Sequence, residues 1–109
     1  MVDWFVSIWD EDSEAHLYRG GEGFDRASVI EQAVAAGRLI VRREDGSIVG
    51  VVGKVVIDGT PVDAIAFGDF SVSDDELRGL LATKLDRVQG SSELGRSAGS
   101  SSGVEFRKG

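Results

Sequence analysis

The 109-residue chain is predicted to be an α+β fold of order ββ-α-βββ-α, an antiparallel sheet with two helices packed on it. Three observations predict it. The N-terminal run is rich in aromatic and β-branched residues, two Asp-Gly dipeptides each sit between β-branched runs, and a capping box opens a leucine-rich segment near residue 77.

Residues 3–9, which include Trp4, Phe5 and Trp9, have strand composition. An acidic turn at 11–14 follows, and 16–19 read as a short returning strand. The Gly-Gly-Glu-Gly run at 20–23 reads as a flexible connector. Asp25 or Ser28 then caps a helix whose apolar positions Val29, Ile30, Ala33 and Val34 share one face, with Gly37 as its C′ stop. Strands are expected at about 38–44, 47–57 and 60–68, because Asp45-Gly46 and Asp58-Gly59 suit the two positive φ angles of a type I′ hairpin turn. Ser73 and Glu76 form a capping box ahead of Leu77, Leu80, Leu81, Leu85 and Val88 at helical spacing. From residue 89 the composition turns to Gly and Ser, so the expected organisation is one domain over 1–88 and a disordered tail over 89–109, a linker or tag remnant.

Two-residue turns fix a register. Val55 then opposes Val62, Lys54 opposes Asp63 as a cross-strand ion pair, Val52 opposes Ile65, and Gly50 opposes Phe67. Parity places Ile40, Val49, Val51, Val55, Ile57, Val62, Ala64 and Ala66 on the core face. The opposite face carries Leu39, Val41, Val52, Val56, Ile65 and Phe67, interrupted only by Arg43, Lys54 and Asp63, and is too apolar for water.

Composition excludes several classes. There is no cysteine, so disulfides, thiolate metal sites and cysteine nucleophiles are out. The single histidine rules out a two-histidine metal site within one chain, and the acidic run from Asp10 lacks the glycine and glutamate that a calcium loop requires at its sixth and twelfth positions. The glycines at 20–23 lack a phosphate-loop pattern, with Glu22 and Asp25 where the phosphate would lie. No cofactor is therefore expected. The net charge is −7; Arg96, Arg107 and Lys108 outweigh Glu93 and Glu105 by one, so residues 1–88 carry −8 and repel nucleic-acid backbones. No apolar run is long enough to span a membrane, and the opening Met-Val-Asp-Trp is not a secretory leader, so a cytoplasmic protein is expected.

Surplus apolar surface with little catalytic equipment predicts a small acidic non-catalytic protein-interaction or assembly module, with a protein partner or a second copy as occupant. The candidate interface is Leu39, Val41, Val52, Ile65 and Phe67 with the tryptophans Trp4 and Trp9. If the N-terminal hairpin covers that face, both tryptophans are buried. Two other readings are an acidic inhibitor mimicking nucleic acid, with Asp74, Asp75 and Glu76 in its stripe, and a small enzyme using His16 with neighbouring carboxylates.

Overall fold

The computed structural model describes residues 1–99, with side chains through residue 89. Its elements are β1 (Val2–Asp10), β2 (Ala15–Gly23), α1 (Arg26–Val41), β3 (Gly53–Ile57), β4 (Thr60–Ile65) and α2 (Asp74–Gly99). The α+β class holds, with four antiparallel strands in the order β2-β1-β3-β4. The N-terminal hairpin is thus part of the sheet, not a cover over it. Of the Gly/Ser-rich tail expected over 89–109, the backbone up to Gly99 continues α2, and 100–109 lie outside the described residues.

β1 and β2 pair without a break from Asp10↔Ala15 to Val2↔Gly23. The glycines at 20–23 belong to this strand and are no connector. Bare backbone is what the position needs: a Cβ on Gly21 would lie 3.1 Å from the Trp4 indole, and one on Gly23 2.7 Å from Val29 of α1.

Asp25 caps α1, its carboxylate accepting from the Ser28 amide at 2.9 Å. The helix does not stop at Gly37 but runs another turn to Val41, so the strand expected at 38–44 does not form. Val34, Gly37 and Val41 continue the buried stripe at helical spacing, and the Leu-Ile-Val run at 39–41 is too short for its composition to overrule that period. Gly37 is the groove into which the Phe67 ring fits: a Cβ there would lie 2.3 Å from two ring carbons.

The two Asp-Gly turns differ. At Asp58-Gly59 both residues have positive φ, 50° and 79°, as a type I′ turn demands, and Val55↔Val62 pair as expected. At Asp45-Gly46 only Gly46 is left-handed, at φ 88°, and the Arg43 amide bonds Ser47 across a three-residue loop. The register there is shifted by one residue, and all that remains of the expected hairpin is a bridge between Arg42 and Ile48. Further along β3 a bulge intervenes: Ile65 pairs with Gly53 instead of Val52, and Ala64 takes φ 63°. Phe67 therefore does not shield Gly50; it lies against Gly37 and Gly53, and a Cβ on Gly50 would meet the Trp9 carbonyl.

The core lies on one side of the sheet. α1 packs on β1, β2 and β3, and α2 packs on β4 and α1. Val6, Ile8, Val55, Ile57, Val62 and Ile65 point from the sheet into it, met by Val29, Ala33 and Val34 of α1 and by Leu77, Leu81 and Leu85 of α2. The capping box forms as expected, Ser73 Oγ accepting from the Glu76 amide at 3.1 Å and Glu76 Oε1 from the Ser73 amide at 3.0 Å.

Candidate functional site

Strict alternation along β1 sets up the site. Val6 and Ile8 are fully buried, while Phe5 and Trp9 keep 40% and 43% of their surface in solvent on the other side. Register carries the division across the sheet: Phe5 faces Gly20 and Val56, Ser7 faces Tyr18 and Lys54, and Trp9 faces His16. Neither helix covers these residues.

The aromatic groups form one run. Phe5 and Tyr18 rings are 5.2 Å apart, Tyr18 and His16 6.0 Å, and His16 meets Trp9 edge-on at 5.0 Å. Tyr18 is 57% exposed. The Phe5 ring lies over Gly20, whose missing side chain leaves it room. Val52 extends the apolar surface beyond Trp9, half exposed. Beside Trp9 lie two shallow hollows, one of about 250 Å³ between Ser7, His16, Lys54 and Asp63, and one of about 460 Å³ along residues 48–52. Both are open grooves, unlike the enclosed pockets that bury small ligands.

The residues expected at the interface divide between the two sides. Val41, Ile65 and Phe67 are buried core residues, displaced from the second face by the longer helix, the shifted turn and the bulge. Trp4 is half-buried on the core side, its Nε1 donating to Gln32 Oε1 of α1 at 2.8 Å. Leu39 is exposed, but on α1, in a groove with Arg42 and Phe70. Trp9 and Val52 alone stand on the open sheet face. Phe5 and Tyr18 were missed as site residues, although the alternation along β1 places Phe5 with Trp9.

Chemistry at His16 is thinly equipped. Its Nδ1 lies 3.1 Å from Ser7 Oγ, a hydroxyl where the enzyme reading needs a carboxylate. Among the described residues, no three acidic or histidine side chains are grouped to hold a metal ion. Five acidic residues are held in ion pairs: Asp10 and Asp12 with Arg43, Asp74 with Arg38, Asp75 with Arg78 and Asp86 with Arg26. An unbroken anionic stripe of the kind a nucleic-acid mimic presents is interrupted by these cations.

Two residues to which the sequence reading gave no structural role, Asp10 and Arg38, organise the surroundings. Asp10 turns inward, accepting from Ser13 Oγ at 2.9 Å, the Asp12 amide at 3.1 Å and Arg43 at 2.9 Å. Burial works to raise its carboxyl, and these hydrogen bonds with the Arg43 charge outweigh it, leaving the group below the ordinary aspartate range. Arg38, nearly buried, donates Nη1 to the carbonyls of Phe67 and Asp69 and Nη2 to that of Val72, and so shapes the loop between β4 and α2.

Among the described residues no helix is long and apolar enough to cross a membrane. Compared with protein-family models, curated proteins and solved structures, the chain matches none.

Proposed function

We propose that the chain is a non-catalytic protein-binding module whose working surface is the helix-free face of its sheet. The observation that carries the reading is Phe5, Trp9 and Tyr18 standing 40–57% exposed in one aromatic run that neither helix covers among the described residues. Large aromatic side chains supply most of the binding energy of protein interfaces, and contiguous exposed apolar patches of a few hundred Å² mark such sites. A sheet with exposed aromatics is also how single-stranded nucleic acids are bound, but that use needs a cationic groove along the backbone. Here Lys54 is the one lysine or arginine of the face, beside Asp63, on a chain of net charge −7. The balance supports a protein occupant. The absence of cysteine fits a cytosolic setting.

Photo-crosslinking from the face tests this. With p-benzoylphenylalanine in place of Tyr18, expression in cells is expected to give a discrete protein adduct that is absent when the same group replaces Leu80, an exposed residue of α2. Equal labelling at both positions, or none at 18, refutes the reading.

A further inference from the structure

Resting on that reading, we infer that the occupant of the open face is a short arginine-rich segment of another protein, laid along the aromatic run. The first support is charge. Asp3 and Glu22 are exposed cross-strand neighbours of β1 and β2 on this side of the sheet, and Glu11 lines the hollow beside Trp9 at the other end of the run. Asp63 borders the second hollow together with Lys54. Four carboxylates against one lysine leave the face at −3. Arg19 does not offset this, because it pairs with buried Val6 and so belongs to the helix side. Elsewhere the fold meets its acids with its own Arg26, Arg38, Arg43 and Arg78, but among the described residues no ion pair involves Asp3, Glu11, Glu22 or Asp63. The open face is where negative charge is left for a cationic partner to meet.

The second support is the rings themselves. Phe5, Tyr18, His16 and Trp9 follow one another with centroids 5.2, 6.0 and 5.0 Å apart, and acids stand at both ends of the run. A guanidinium is planar and weakly hydrated, so it stacks on a ring while its N–H fork still reaches a carboxylate, whereas a lysine ammonium is a strongly hydrated point charge. The fold makes that contact internally, with Arg42 and Arg38 at 4.3 and 4.8 Å from the Phe70 ring centre. Size is the third support. Two nine-residue strands and two of five and six residues, at ~4.8 Å spacing and ~3.3 Å per residue, make a face of roughly 450 Å² in plan. With an equal share from its partner the contact stays below the ~1,200 Å² at which standard interfaces between folded proteins begin. An extended segment of about nine residues matches the length of β1 and fits that limit.

Titration of the full nitrogen-15-labelled chain with nona-arginine and with nona-lysine, at ~150 mM salt to screen distant charges, reads the outcome in amide shifts. Saturable shifts confined to β1, β2 and residues 52–56 are expected, with the arginine peptide about threefold tighter at equal charge. Asp3→Asn with Glu22→Gln is expected to weaken binding about fivefold. Tyr18→Leu, which keeps apolar bulk without the ring, is expected to cost a similar factor, and Tyr18→Phe to retain affinity, each with an unchanged circular dichroism spectrum. Glu31→Gln with Glu44→Gln removes the same two charges from exposed positions off the face, and is expected to leave affinity within about twofold. Equal weakening by both pairs, a lysine peptide as tight as the arginine one, or shifts spread over the helices overturns the arginine-rich occupant. So does a position-18 crosslink to a second copy of this chain or to a protein without an arginine-rich stretch, which leaves the binding-module reading standing on its own. If the titration fails and no adduct forms at position 18, both fall.

Discussion

Replacing Gly37 by alanine sets two magnitudes against each other. In a helix interior alanine is favoured over glycine by ~1 kcal/mol. In this helix the added methyl would sit 2.3 Å from Cδ1 and Cε1 of Phe67, against the ~3.5–4.0 Å of an ordinary carbon contact, so the ring has to retreat by more than ~1 Å. It has little room, because Phe67 is fully buried and its other edge lies against Gly53, where a Cβ would already be 3.0 Å from Cδ2. Overpacking of a closed site costs ~1–3 kcal/mol, and a site bounded by glycine on both sides belongs at the top of that range. Net destabilisation of ~2 kcal/mol follows, a fall in Tm of roughly 8–16 °C for a domain of this size. Urea unfolding followed by far-ultraviolet circular dichroism reads it, with m unchanged. Phe67→Leu in the Gly37→Ala background is expected to recover part of the loss, since the smaller side chain vacates the clash. A Gly37→Ala protein as stable as the parent would refute the reasoning.

Arg38→Lys keeps the charge but loses the fork that holds the Phe67, Asp69 and Val72 carbonyls, so a loss of ~2–3 kcal/mol and faster amide exchange over 67–73 are expected; unchanged exchange there would show the loop is held otherwise. Because the Asp10 carboxyl is lowered in the folded chain, its contribution is present above the ordinary value of 3.8 and is lost as pH falls through the lowered folded value. Asp10→Asn is therefore expected to be less stable than the parent at neutral pH and to converge with it in acid. Urea midpoints at pH ~7 and ~2.5 check this, and a gap independent of pH would be against it.

Much of the fold was legible because local signals agreed with the tertiary outcome. Asp58-Gly59 sits where a two-residue turn has to take two positive φ angles, and the register of Val55 and Val62 follows from it. Ser73 and Glu76 start α2 through bonds made within four residues. Asp45-Gly46 shows the limit. The same dipeptide joins the end of a helix to a single bridge, because what surrounds it is helical stripe and not strand. Val41 is buried by that helical stripe and not by strand parity, and the bulge at Ala64 removed the pairing that placed Ile65 opposite Val52. The candidate site suffered accordingly: Trp9 and Val52 remained, Val41, Ile65 and Phe67 sank into the core, and Phe5 and Tyr18 took their places.

The sequence by itself determined the α+β class, the capping box of α2, the β3–β4 turn and the surplus of apolar surface, since each of these depends on neighbours a few residues apart. Only the tertiary structure decided which side of the sheet both helices occupy, and hence which apolar residues stay in water. That choice is made by close approaches between distant segments: the Phe67 ring on Gly37 and Gly53, the Trp4 indole on Gly21, and Gly23 against Val29. Each joins residues whose separation along the chain carries no period, so no local pattern announces it. The second face, which the sequence marked as too apolar for water, is in the fold a different set of side chains, and it stands open.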